Sequence, residues 1–364
     1  MIPISRPSLL GNESKYLCET LDSGWISSLG KYIDKFEEEF ADYCGAKYAI
    51  SVANGTVGLQ LALETLNIGN EDEVIIPDLT FVATANAVVH VGARPVIADV
   101  DDWTYCINPV EIEKKITSKT KAIIPVHLYG VPAKMDEICK IANKNNLMVI
   151  EDCAEAHGAS INSIKVGNFG DFGVFSFYGN KIITTGEGGM LTTNNEDLYE
   201  RAKFLRDHAM SKQRRYWHTE IGFNFRMTNM QAAIGCAQLE QIDSFLAYRD
   251  WILERYRKNL DSKIVKCNPV VNTRSVNWLV CMEVSGIEKF NRDELIENLK
   301  GKKIDTRPFF YPISSLPMYF DSEMSKNKAN NISKKGINLP TFVGLKAEEI
   351  DYICDEILNS LRAF

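Results

Sequence analysis

A lysine closes the segment Ser176-Phe177-Tyr178-Gly179-Asn180-Lys181, which leads into a glycine-rich stretch, Gly186-Glu187-Gly188-Gly189. Upstream, the apolar run Val149-Ile150 ends in two carboxylates, Glu151-Asp152. A lysine in a loop past one strand and an aspartate at the end of another make the pair that pyridoxal phosphate chemistry needs. The amine forms a Schiff base with such a cofactor, and the carboxylate keeps the pyridine nitrogen protonated so that the ring accepts electrons. Lys181 stands in a stretch otherwise poor in charge, where desolvation lowers an ammonium pKa and makes the amine nucleophilic at neutral pH. Asp152 alone is equally readable as a turn residue, but a buried carboxylate needs a partner and a pyridinium is a good one.

Other residues suit the same chemistry. Asn54-Gly55-Thr56 precede a helix that opens at Val57, and N–H groups at a helix start form a phosphate cradle, although Gly-Thr there is also ordinary capping. The Ser176 hydroxyl is a second phosphate ligand candidate, and glycines 186, 188 and 189 let the backbone fold closely around the site. Phe81 is either a core residue or an aromatic placed at a strand-to-helix junction to lie over a planar ring.

The elements that must position these residues alternate. Val74-Ile75-Ile76, Pro95 to Ala98, Ala122 to Val126 and Leu147 to Ile150 read as buried strands, and Val57 to Thr65, Thr84 to Val91 and Met135 to Lys144 read as helices between them. The pattern predicts an α/β layer with a mostly parallel sheet, whose ligands gather at the carboxyl ends of the strands. After Asn195 it turns helical, over Leu198 to His208, Asn229 to Gln241 and a long stretch from Phe245 to Leu260. Strand-like runs at Val276 to Val284 and Ile304 to Pro308 then pair with helices at Asp293 to Leu299 and Ala347 to Leu361, an α+β layer. The expected organisation is a large domain over 1–245 and, over 246–364, a linking helix with a small C-terminal domain. Lys326 to Asn331 reads as a mobile polar loop.

Composition narrows the functional classes. A chain of 364 residues with a net charge of -7 and 45% hydrophobic residues is an ordinary globular protein, and its mild acidity argues against nucleic acid as a main partner. The N-terminus lacks the charged-then-apolar pattern of a secretory signal, and no apolar run is long enough to cross a bilayer, so a soluble, cytoplasmic protein with no membrane partner is expected. Nine cysteines occur singly, without a metal-ligand pattern. The basic cluster Lys212-Gln213-Arg214-Arg215 is a solvated face or a draw for a phosphate-bearing substrate.

Taken in order, the motifs resemble the sugar aminotransferases of the DegT/DnrJ/EryC1/StrS family. The resemblance runs from Asp22-Ser23-Gly24-Trp25-Ile26-Ser27-Ser28 through Ser51 to Thr56, Glu151 to Gly158 and Ser176 to Lys181, to Gly222 to Asn229. It implies the aspartate aminotransferase-like fold (fold type I) and pyridoxal 5'-phosphate as cofactor. Lys181 becomes the Schiff-base lysine and Asp152 the pyridine-nitrogen partner. Phe81 and Ala154 take the two ring faces, Gly55, Thr56 and Ser176 hold the phosphate, and Asn224 reaches the cofactor phosphate of a neighbouring subunit in a homodimer with shared active sites. Position 155 is commonly glutamine in the family, where it meets the cofactor 3-hydroxyl. Glu155 beside a phenolate is repulsive unless one of them carries a proton.

Within the family, these segments and Thr306 to Pro312 most resemble the members that aminate GDP-4-keto-6-deoxy-mannose at C4 with glutamate, an O-antigen and lipopolysaccharide activity. Trp25, Ser27, His218, Arg307 and Tyr311 are then the candidate substrate contacts, His218 being equally readable as a surface or core residue. One departure stands out: Tyr311-Pro312 is usually followed by Val-His, and here by Ile313-Ser314. Three alternatives follow: a UDP- or dTDP-linked 4-keto sugar or a 3-keto sugar, a 3-dehydratase with histidine in place of the lysine, which Lys181 opposes, and a regulatory relative without catalysis.

Overall fold

The computed structural model describes residues 1–260, 265–268, 273–324 and 326–362. Strands β1 (Tyr48–Val52), β2 (Glu73–Pro77), β3 (Arg94–Ala98), β4 (Thr120–Ile123) and β5 (Met148–Asp152) are followed by a short hairpin, β6 (Ser160–Ile161) and β7 (Ile164–Lys165). With β8 (Phe172–Ser176) and β9 (Gly189–Thr193), the longer strands form a seven-stranded sheet in the order β1-β9-β8-β5-β4-β2-β3. The pairs β3-β2, β2-β4, β4-β5 and β5-β8 are parallel, whereas β9 runs antiparallel to both β8 and β1.

Side chains alternate across a strand, and this sheet is buried on both faces. Ile75 and Val149 enter one apolar core, while their neighbours Val74, Ile76 and Ile150 enter another. Two covered faces are what a mostly parallel sheet requires, which is why its strands read as continuous apolar runs. The helix Gly55–Thr65 begins at the end of β1 because the Asn54 side chain accepts the Val57 N–H at 3.0 Å.

The helix Ile242–Asn259 spans two cores: Phe245 and Leu246 pack against the first, and Ile252, Leu253 and Tyr256 against a third. That third core lies under an antiparallel sheet of β10 (Val265–Cys267), β11 (Val280–Val284), β12 (Arg307–Pro308) and β13 (Gly336–Leu339), in the order β10-β11-β13-β12. No helix among the described residues is long and apolar enough to cross a membrane.

Four elements differ from the sequence expectation. The strand expected from Val276 begins only at Val280, because Asn277 adopts a left-handed backbone (φ 51°) and Val276 pairs with the Gly130 carbonyl instead. The strand expected from Ile304 is reduced to Arg307–Pro308, since Asp305 N–H bonds to Ile2 near the N-terminus. The helix expected to reach His208 ends at Arg206, His208 and Ala209 being left-handed. The expected loop at 326–331 is largely helical: Lys328–Lys335 starts where the Asn327 side chain accepts the Asn330 N–H, and it buries Ala329 and Ile332.

Candidate active site

A cleft of about 590 Å³ opens at the carboxyl ends of β2, β5 and β8. Gly55, Thr56, Phe81, Asp152, Ala154, Glu155, Ser176 and Lys181 all line it, although they span 127 positions of sequence from Gly55 through Lys181.

Asp152 closes β5 and is buried. One carboxylate oxygen accepts the Thr84 hydroxyl at 2.9 Å and the other the Ala154 N–H at 3.2 Å. Thr84 is itself 3.1 Å from the Thr80 hydroxyl, so the carboxylate is braced from the turn that carries Phe81. Burial pushes its pKa up, against these two hydrogen bonds and the Lys181 charge. A carboxylate kept out of water with so few donors is built to meet a cation.

The Lys181 amine lies 3.7 Å from Glu155 Oε1 and 4.1 Å from the centre of the Trp278 ring. Burial lowers its pKa, opposed by the charges of Glu155 and Asp152. Glu155 accepts the Tyr129 N–H at 2.7 Å, and Tyr129 holds a left-handed backbone (φ 53°) that aims this N–H at it. Desolvation raises the Glu155 carboxyl from 4.5 to about 7, although the Lys181 charge and the Tyr129 N–H both favour the anion.

Glu151, next to Asp152, has a different task. Its oxygens accept the N–H groups of Gly167, Phe169 and Gly170, and His127 Nε2 lies 3.1 Å away. Because His127 Nδ1 accepts the Ala133 N–H, Nε2 carries the proton and donates to Glu151. Cys153 is close enough to complete a three-ligand metal cluster, but the carboxylate and imidazole are already engaged with backbone groups. The knot anchors the end of β5 and holds Asp152 in place.

A family model for the DegT/DnrJ/EryC1/StrS aminotransferases matches residues 7–358. The chain belongs to this family. Among curated relatives, the GDP-perosamine synthase of Escherichia coli O157:H7 is 46% identical over 356 residues, covering 98% of this chain and 97% of that protein. The GDP-perosamine synthase of Vibrio cholerae is 42% identical over 362 residues and 99% of both chains. Among solved structures, the aminotransferase from Psychrobacter cryohalolentis superposes with a TM-score of 0.92 at 31% identity, covering 99% of both chains. The Streptococcus pneumoniae protein Spr1654 in its PMP form gives 0.94 at 28% identity, over 100% of this chain and 98% of that one. Like other members of the DegT/DnrJ/EryC1/StrS family, this is a pyridoxal-phosphate-dependent sugar aminotransferase.

The residues present fit that cofactor. The backbone at Asn54-Gly55 is packed too closely for side chains: a Cβ on Gly55 would stand 3.0 Å from that of Ser176, and one on Gly189 would stand 2.7 Å from the Asn54 carbonyl carbon. Small residues at a helix N-terminus beside a serine hydroxyl leave N–H groups bare for a phosphate. Asp152 offers a negative charge and Lys181 an amine from the same cleft, and the Asn180 side-chain oxygen is buried without a hydrogen-bond partner.

Six residues carried by the resemblance are not brought to this cleft. The carbonyls of Trp25 and Ser27 accept hydrogen bonds from Asn229, at 2.6 and 2.5 Å. His218 Nδ1 donates to the His208 carbonyl at 2.8 Å, and Asn224 accepts Arg226 Nε at 3.0 Å. Arg307 pairs with Asp305, and Tyr311 stands exposed with the Arg292 guanidinium 5.6 Å from its ring centre. Sequence reading missed Thr84, Tyr129, Trp278 and Phe310. Trp278 lies 98 positions from Asn180, whose carbonyl accepts its indole N–H at 2.8 Å, and no local pattern connects the two.

Proposed function

We propose that this protein is a GDP-perosamine synthase, transferring the amino group of L-glutamate to the C4 keto carbon of GDP-4-keto-6-deoxy-D-mannose. The observation that carries the reading is identity of 42–46% over nearly the whole chain to three proteins of that name. Bound pyridoxal phosphate supplies an electrophilic carbonyl and a ring that takes up the negative charge developing during proton transfer. Lys181 would anchor the cofactor and, as a free amine with a pKa lowered by burial, would take a proton from the donor carbon in one half-reaction and deliver one to the acceptor carbon in the other, ending each half as the free amine. Asp152, held by Thr84 and the Ala154 N–H, would hold a proton on the ring nitrogen. Phe81 and Ala154 would cover the ring faces, Gly55, Thr56 and Ser176 would bind the phosphate, and protonated Glu155 would donate to the ring oxygen. Because one base serves both substrates in turn, kinetics are ping-pong.

The chain works as a homodimer in which Asn224 of one protomer completes the phosphate site of its partner, and Trp25, Ser27, His218, Arg307 and Tyr311 complete the sugar-nucleotide site. Their positions outside the cleft of their own chain support this reading, as do the exposed side chains of Ile26, Leu29, Trp217 and Ile221. The division at residue 245, within the helix Ile242–Asn259, separates a cofactor-binding domain from a smaller one.

The test is a matched assay with glutamate and GDP-, UDP- or dTDP-linked 4-keto-6-deoxy sugars, products followed by mass. Amination of the GDP sugar is expected. Preference for a UDP- or dTDP-linked sugar, or for a 3-keto sugar, would replace the substrate while keeping the reaction.

A further inference from the structure

Asp78 is fully buried one residue past β2, and its carboxylate turns away from the cleft towards the C-terminal part of the chain. Oδ1 accepts the Ser314 N–H at 2.7 Å, and Oδ2 accepts the Ser314 hydroxyl at 2.9 Å together with the Asn327 side-chain amide. The Asp78 carbonyl also accepts the Ile313 N–H at 2.7 Å. Asn327, in turn, caps the helix Lys328–Lys335. One buried carboxylate thereby ties the end of β2 to two separate C-terminal elements.

Both partners of this tie lead into the cleft. Three residues beyond Asp78 stands Phe81, and four residues before Ser314 stands Phe310; both line the cleft, with ring centres 5.7 Å apart. Phe310 is held on its other side, where its N–H donates to the Tyr129 hydroxyl at 2.9 Å and its carbonyl accepts the Ser333 hydroxyl at 2.9 Å. Only Tyr311 and Pro312 lie between the two anchorages; Tyr311 is exposed outside the cleft, and Phe81 is 55% exposed at its rim. The chemistry shared by both substrates sits deeper, at Lys181 and Asp152. A nucleotide sugar is far larger than glutamate and has to pass along this rim.

Ser314 is 2% exposed and faces Asp78, so the residue that departs from the family pattern is a donor to the tie and not a sugar contact. We propose that Asp78, with Ser314 and Asn327, is a positioning cluster that fixes the Phe310 side of the cleft, opposite Phe81, and thereby sets the fit of the nucleotide sugar, leaving the glutamate half of the reaction alone because the Phe81 turn is held separately through Thr80, Thr84 and Asp152. This inference rests on the reading of the cleft as a nucleotide-sugar site. A buried carboxylate with several donors is stiff while all are in place and mispaired when one is altered.

The experiment separates the two halves in Asp78→Asn, Ser314→Ala and Asn327→Ala holoenzymes. Conversion of bound cofactor by glutamate alone is read from its absorbance, and KM is measured for whichever linked keto sugar the wild-type protein aminates. The expected result is a rise of about tenfold in sugar KM, with the glutamate conversion rate within about twofold of wild type. Ser314→Ala combined with Asp78→Asn adds little to Asp78→Asn, because the residues act as a unit. Equal losses in both halves would reduce the cluster to a support of the fold, and unchanged sugar KM in all three variants would overturn the proposal. A wild-type preference for a UDP- or dTDP-linked sugar would fail the GDP reading alone, since the split between the halves is measured on the preferred sugar.

Discussion

The Lys181 amine and the Glu155 carboxylate stand 3.7 Å apart in a buried cleft, and burial drives each towards its neutral form. Glu155 occupies a position where a permanently neutral glutamine is common in the family, and at about 7 its pKa lets it carry a proton near neutrality. A carboxyl whose pKa is raised by folding binds its proton more tightly in the folded state. Its contribution to stability is therefore complete below its ordinary value of 4.5 and is lost as pH rises through about 7.

Glu155→Gln removes that dependence. Between pH 5 and 8 the melting temperature of cofactor-free wild-type protein falls relative to the variant, and below about pH 4.5 the gap between them is constant. Thermal scans across this range check the sign. A gap that stays flat through pH 7, or widens in favour of wild type, contradicts a carboxyl that titrates there.

Lys181→Ala removes the amine that anchors the cofactor and moves the proton. Turnover falls by at least about 10³-fold, while the protein remains folded because the substitution removes an amine whose burial costs desolvation energy. Circular dichroism with an activity assay on the same preparation checks both statements, and retention of turnover within tenfold would remove Lys181 from the chemistry.

Asp152→Asn keeps the shape of the side chain and, through Oδ1, can still accept from Thr84 or Ala154, but it carries no charge for a ring proton. A fall in kcat of about 10²- to 10⁴-fold with cofactor still bound is expected. Thr84→Val, which leaves the charge and removes one donor, has a smaller effect of about threefold to thirtyfold. A Thr84→Val loss equal to that of Asp152→Asn would mean that orientation, not charge, is the contribution of this pair.

The Trp278 ring lies under the Lys181 amine while its N–H fixes the Asn180 carbonyl. Trp278→Phe keeps a ring face and loses the N–H, and Trp278→Ala loses both. Because an ammonium over an aromatic face is stabilised by about 0.5–2 kcal/mol, Trp278→Ala moves the acidic limb of the kcat profile towards lower pH more than Trp278→Phe does. The two variants measured across pH separate the ring from the hydrogen bond, and identical profiles would leave the N–H as the sole contribution.

The parts of the site legible in the sequence are those that strand ends create. Asp152 and Ser176 each terminate an apolar run, Lys181 follows one, and a parallel sheet brings such ends together whatever their spacing. What was not legible depends on chain reversals between distant elements. Trp278 meets Lys181 because Asn277 turns out of the strand, and Asn277 carries no local signal for that turn beyond its tolerance of a left-handed backbone. The helix Lys328–Lys335 was obscured for a similar reason: its sequence is polar, and its stability comes from the Asn327 cap and the burial of Ala329 and Ile332 against other elements. Ser314 illustrates a third limit. The departure from the family pattern was visible, but only the position of Asp78 reveals what the side chain does.

Asn224 lies outside the cleft that holds Lys181 in the same chain, hydrogen-bonded to Arg226. In a homodimer with shared sites, each site takes Lys181 from one protomer and Asn224 from the other, so inactive variants complement. Lys181→Ala and Asn224→Ala proteins, each nearly inert, are unfolded together and refolded at equal concentrations. Half of the dimers are then mixed, and each mixed dimer has one site with both lysine and asparagine intact, so activity recovers to about a quarter of wild type. If the two residues served the same site from the same chain, every site in a mixed dimer would lack one of them. No recovery after refolding, with dimers confirmed by light scattering, would place Asn224 outside the partner's site.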